Sequence, residues 1–168
     1  YWSSMPTCCG TRVAWSTGKA AHPARVYVCE VPLDGFEGVH AVLGKRYPAA
    51  ASHAMVLVEL QDLPGCHCFD FLPEHTRSWR TAAFLVCGRG VPGVRRYRLL
   101  KRKPTRRCWS VGMAIHEDPL AEAEAFQSGW DDELRLFRND CRRHAASLAS
   151  HLTGVERKQV LLRRDAWP

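Results

Sequence analysis

Apolar positions along the chain change period several times, and each change predicts an element. Arg25 to Val31 (RVYVCEV) is rich in β-branched and aromatic residues and predicts a strand. Phe36, Val39, Val42 and Leu43 recur at helical spacing, so a short helix is expected over Phe36 to Lys45, with Asp34 as N-cap and Pro48 as stop. His53 to Leu60 (HAMVLVEL) and Cys66 to Leu72 (CHCFDFL) flank a Pro64-Gly65 turn and predict a β-hairpin. Arg77 to Cys87 predicts a helix ended by Gly88, with Ala82, Leu85 and Val86 inward, and Gly88 to Gly93 predicts a turn. Val94 to Lys101 and Cys108 to Met113 predict strands. Pro119 to Gly129 predicts an acidic helix with proline in its first turn and glycine at its end. A last clear helix is expected from Cys141 to Leu152, capped by Asn139 or Asp140 and stopped at Thr153-Gly154, with a further helical segment from Val155 to Arg164. This order of elements predicts an α+β fold, an antiparallel sheet packed against helices. Residues 1–23 lack a sustained period and are expected to form an irregular arm, leaving 24–168 as one domain.

Composition narrows the class. A chain of 168 residues with 46% hydrophobic and 24% charged residues matches an ordinary globular protein. No apolar run approaches the roughly 18 residues of a membrane span. Eight cysteines are not spaced like a small secreted scaffold, and Cys29 and Cys87 lie in apolar runs where a free thiol acts as a small hydrophobe. That pattern favours an intracellular, reducing compartment. The chain opens at Tyr1 rather than Met, which leaves room for an upstream targeting segment.

Cys141 has the strongest chemical signal. It falls in the first turn of its helix, where unpaired backbone N–H groups favour a thiolate and its own N–H is available as an oxyanion donor. Arg142 and Arg143 add positive charge nearby. Ala145, Leu148, Ala149 and Leu152 continue the stripe that starts at Cys141, so the sulfur should face the sheet. The same position would suit a cysteine that only fills space.

A thiol needs a base, and the base needs an orienting group. His53 opens the most hydrophobic strand. If Leu60 and Gly65 close the hairpin, His53 lies opposite Leu72, and Asp70 falls on the face of His53, two residues away. A one-residue slip would move Asp70 to the other face, and His67 would then share the face of His53 but far along the strand. Asp70 is therefore the better candidate.

A histidine on a strand, a polar residue on the next strand and a cysteine opening a late helix resemble the circularly permuted papain-like group, which includes the NlpC/P60, lecithin:retinol acyltransferase-like and PPPDE families. Asn139-Asp140-Cys141-Arg142-Arg143-His144 is similar to their Asn-Cys-x-His-Phe type of motif, with one residue inserted before Cys and one before His. The likeness runs from about His53 to Gly154 and extends to uncharacterised plant and green-algal proteins, which adds the plastid as an expected location. The resemblance implies a permuted papain-like fold and a thiol hydrolase or acyl transferase acting on a peptide, isopeptide or ester bond, or an inactive relative of one. Cys141 would be the nucleophile, His53 the base and then acid, and Asp70 the orienting group, with no cofactor and with a protein or peptide as substrate. Lipid acyltransferases of this type usually carry a membrane-anchoring segment, which tilts the implied activity toward peptidase-like chemistry.

Charge distribution supplies the rival reading. The formal charge is +7, and His75 to His116 holds eleven Arg and Lys with no Asp or Glu. Eight of these are Arg95, Arg96, Arg98, Lys101, Arg102, Lys103, Arg106 and Arg107, with Trp109 following. Clustered positive charge beside an aromatic surface is how nucleic-acid grooves are built, so a non-catalytic RNA-associated or complex-bound scaffold is the alternative. The bland version is a solvated strand and loop neutralised by the acidic helix near Glu122 and Glu124. No metal site is expected: Cys66-His67-Cys68 places His67 on the opposite face from the cysteines, and neither it nor Cys8-Cys9 has a second pair to complete a tetrahedron.

Overall fold

The computed structural model describes residues 23–32, 52–105 and 107–165. The expected arm over 1–23, almost all of it, and the helix over 36–45 lie outside the described residues, as do Cys8, Cys9 and Arg106. The strands are β1 (Ala24–Pro32), β2 (Ser52–Leu60), β3 (Cys66–Pro73), β4 (Val91–Leu100), β5 (Cys108–Met113) and β6 (Glu133–Leu134). They form a sheet in the order β5-β1-β2-β3-β4-β6, every neighbouring pair antiparallel. The helices are α1 (Trp79–Val86), α2 (Pro119–Ser128), α3 (Cys141–Thr153) and α4 (Arg157–Asp165). The fold class is α+β, as the order of hydrophobic periods predicts.

Alternation along the strands builds two separate apolar layers. Val26, Val28, Ala54, Val56, Val58 and Phe69 face α3, where Ala145, Leu148, Ala149 and Leu152 meet them. All four of these helix residues are buried, so the stripe counted from Cys141 is the packing face. Tyr27, Cys29, Met55, Leu57, Cys66 and Cys68 form the core of the other face. The link between β4 and β5 runs past that second layer: Lys103 Nζ sits 3.8 Å above the Tyr27 ring and 3.5 Å from Glu59. Leu100 and Cys108, which bracket the link, pack into the same layer.

Several local expectations change. Cys29 is not a free apolar thiol: it is bonded to Cys108, its cross-strand partner in the β1–β5 ladder. Cys87 is exposed at the end of α1, where the helix stops and the chain turns through Gly88 at positive φ. Val86 is exposed as well, because α1 buries only Thr81, Ala82 and Leu85. Val91 to Gly93 belongs to β4 rather than to a turn, because partners on both sides extend the ladder: Gly93 pairs with Pro73, and Val91 with Leu134. Glycine is required there, since a Cβ at Gly93 would overlap the Phe71 ring. No helix among the described residues is long and apolar enough to cross a membrane.

Candidate active site

The β2–β3 hairpin has the register expected from its loop, with Met55 paired to Asp70 and Val58 to His67. The ladder ends at Met55 and Asp70, so His53 and Leu72 are not ladder partners. His53 is nonetheless diagonal to Asp70 on one face, and its Nε2 stands 3.3 Å from Asp70 Oδ2. Asp70 is completely buried and His53 nearly so. The structure thus brings together two of the three residues expected to cooperate.

Asp70 has further partners that the sequence reading assigned elsewhere. Arg96 donates through Nε and Nη2 to the two carboxylate oxygens, at 2.9 and 3.0 Å, and Arg98 Nη2 also donates to Oδ2. The β3–β4 register explains this, because Asp70 pairs with Arg96 and residues two apart on β4 share a face. Burial opposes ionisation of Asp70, but hydrogen bonding from His53 and Arg96, with the charge around it, outweighs burial and holds the carboxyl well below the usual carboxylate range. It is an anion at the centre of a basic cluster.

Cys141 lies on the other face of the sheet: α3 packs on the face of Ala54 and Val56, whereas His53 and Asp70 share the face of Met55 and Cys68. Asp140 is the N-cap of α3: its Oδ1 accepts from the Arg143 N–H at 3.0 Å and its Oδ2 from the Phe137 N–H at 2.8 Å. The Cys141 sulfur has a hydrogen bond with the backbone of Ala54, the residue after His53, in the stretch of β2 that β3 no longer covers. Arg142 ties the same turn to the sheet, donating to Ser52 Oγ at 2.8 Å and lying 3.7 Å from Glu30.

The thiolate expected at the helix start is not what the environment favours. Burial pushes the Cys141 thiol up to about 11, and the anionic neighbours Asp140 and Glu30 add to that, against the lowering effects of the Ala54 backbone bond and Arg142. Desolvation of a charged sulfur outweighs the helix terminus here. The sulfur and the imidazole are also not hydrogen-bonded. Nδ1 of His53 is buried without a hydrogen-bond partner among the described residues, and Nε2 is near Asp70 without the alignment of a good hydrogen bond.

His144, three residues after Cys141, escaped the sequence reading as a site residue. It is fully buried, and the Phe71, Phe126 and Trp130 rings surround it with centroids 5.8, 6.0 and 5.2 Å away. Neither ring nitrogen has a hydrogen-bond partner among the described residues, and burial pushes its pKa down to about 4. The signal was present: His144 stands four residues before Leu148 and eight before Leu152, so it extends the buried cysteine stripe by one residue at its edge.

Four of the eight residues of the basic stretch are engaged within the fold. Arg95 donates to the Gln127, Ser128 and Trp130 carbonyls at the end of α2 and pairs with Asp132 at 2.8 Å. Arg96 and Arg98 serve Asp70, and Lys103 serves Tyr27 and Glu59. Lys101, Arg102 and Arg107 are exposed. The neutralising acids are Asp70, Asp132 and Glu59, whereas Glu122 of the acidic helix pairs with His151. His67 lies on the helix side, bonded to the Tyr97 hydroxyl at 2.8 Å, while Cys66 and Cys68 face the second layer, so the Cys-His-Cys run does not converge. No family profile, curated protein or solved structure matches the chain.

Proposed function

We propose that the chain is a thiol-dependent hydrolase or acyl transferase of the permuted papain-like type, acting on a peptide, isopeptide or ester bond. The observation that carries this reading is the buried His53–Asp70 contact, 3.3 Å long, at the end of β2 that β3 leaves uncovered, where Cys141 meets the Ala54 backbone from the opposite face of the sheet. An unpaired Nδ1 in a buried imidazole costs stability. With Nε2 as the protonated nitrogen beside Asp70, Nδ1 holds the lone pair that a general base needs. Cys141 rests as a neutral thiol. The reaction requires the His53 ring to swing round the uncovered end of β2 to the α3 face. Nδ1 would then take the thiol proton as the sulfur adds to the substrate carbonyl, the imidazolium would return it to the leaving amine or alcohol, and water or an acceptor would release the acyl group from the thioester. Arg96 and Arg98 keep Asp70 ionised, and the Asp70 anion in turn stabilises the imidazolium.

The test is labelling by an electrophilic acyl-type probe with the modified residue located by mass spectrometry. Cys141 should label in the folded protein, and His53→Ala and Asp70→Asn should each slow that labelling on the order of 100-fold without changing the rate at exposed Cys87. Labelling of Cys87 alone, or Cys141 labelling at one common rate in all three proteins, would sink the proposal. It would favour the second reading, a non-catalytic RNA-associated or complex-bound subunit. That reading draws support from the raised Cys141 thiol and the missing sulfur–imidazole hydrogen bond, and it requires retention on RNA that falls steeply with salt.

A further inference from the structure

At the opposite end of α3 from Cys141, about 15 Å away along the helix, three side chains from three elements converge. They are His116 in the segment after β5, Glu122 in the first turn of α2, and His151 in the last turn of α3. One ligand atom of each lies within 4.8 Å of the other two. Their convergence is built into the backbone. The Ile115 N–H donates to the Leu152 carbonyl at 2.9 Å and pins the His116 segment to the end of α3. Asp118 caps α2 by accepting from the Leu120 and Ala121 N–H groups, which starts the helix so that Glu122 sits beside His151. The His151 ring is held between His116, stacked with centroids 5.1 Å apart, and Phe126, at 5.4 Å.

The contacts within the cluster have the character of a ligand set. His116 Nε2 lies 3.0 Å from the His151 carbonyl, and a carbonyl only accepts, so Nε2 bears the proton and Nδ1 bears the lone pair. An outer contact that fixes the tautomer in this way is typical of metal-binding imidazoles. His151 Nε2 donates to Glu122 Oε2 at 3.3 Å, so that nitrogen carries a proton that zinc would displace on binding. Two imidazoles and one carboxylate are a zinc donor set that leaves a fourth position for water. We propose that His116, Glu122 and His151 form a zinc(II) site that clips the ends of α2 and α3 to the segment after β5. Tetrahedral ligands at zinc bond lengths stand about 3.4 Å apart. The remaining approach is a side-chain rotation, which the partly exposed Glu122 and His151 can make without repacking the core.

The site is tested on the full chain by competition for Zn²⁺ against a chromophoric chelator, with thermal unfolding and Co²⁺ substitution as second readouts. One Zn²⁺ should bind per chain and raise Tm, Mg²⁺ should do neither, and His151→Ala or Glu122→Gln should weaken binding on the order of 100-fold and remove the Tm rise. The Co²⁺ complex of the unaltered chain should show visible ligand-field bands without thiolate charge transfer in the near ultraviolet. A thiolate band, or full-affinity binding retained in a His116→Ala/His151→Ala double variant, would place the metal on cysteines and overturn the proposal. Should either variant fail to fold, the Co²⁺ spectrum of the unaltered chain decides.

Discussion

At the scale of the residue, two buried imidazoles meet different fates. His53 has an anion beside it. His144 has three aromatic rings and no hydrogen-bond partner among the described residues, so its cationic form is strongly disfavoured. With a folded pKa of about 4 against the ordinary 6.5, the unfolded chain binds the proton more readily between those values, and stability falls as pH drops through that window. The penalty reaches about 2 kcal/mol near pH 5. Replacing His144 with leucine removes both the titration and two unpaired nitrogens. His144→Leu should therefore be at least as stable as the unaltered chain at pH 7, and its urea midpoint should fall less between pH 7 and pH 5. An equal fall in the two proteins would mean that His144 is not the group that titrates.

At the scale of the element, α3 depends on its first turn. Asp140 serves two backbone N–H groups, one inside the helix and one at Phe137, which adopts the left-handed conformation at φ 63°. That double role lets the chain turn sharply from β6 into the helix and sets where Cys141 emerges. Asp140→Ala should cost about 1–2 kcal/mol, at the upper end of ordinary cap losses, because a second donor is orphaned with the first. Asp140→Asn, which keeps one acceptor oxygen, should cost less. The two variants are compared by urea denaturation, and equal losses would show that charge rather than hydrogen bonding sets the cap. The basic strand β4 makes the same point in reverse. Alternating Arg96 and Arg98 suggested phosphate recognition, and pairing with β3 turns them onto an internal carboxylate instead.

At the scale of the whole molecule, the sheet has an apolar layer on each face, and the Cys29–Cys108 bond joins β1 to the edge strand β5 across 79 positions of sequence. A bond closing a loop of that length restricts the unfolded chain substantially, typically by about 2–4 kcal/mol in stability. Cys29→Ala/Cys108→Ala should lose that amount as a lower urea midpoint. Reductant should lower the midpoint of the unaltered chain to match and leave the double variant unchanged. A midpoint insensitive to reductant in both proteins would contradict a stabilising bond.

Much of this molecule is decided by local pattern. Alternation in HAMVLVEL and CHCFDFL, with the loop between them, determines the hairpin register, and register alone puts Asp70 diagonal to His53. The Cys141 stripe and Asp140 determine where α3 starts and which face it buries. Three things depend on residues far apart in sequence. The state of the Cys141 thiol depends on how deeply the sheet desolvates it and on Glu30 from β1, and no local motif reports either. The role of Arg96 and Arg98 depends on which strand lies beside β4, since a charge run reads alike whether it faces solvent or a buried acid. The meeting of His116, Glu122 and His151 depends on how two helix ends and a segment after a strand pack together. Periodicity and capping are short-range and can be read along the chain, whereas desolvation and charge pairing are set by neighbours that only the packed fold brings close.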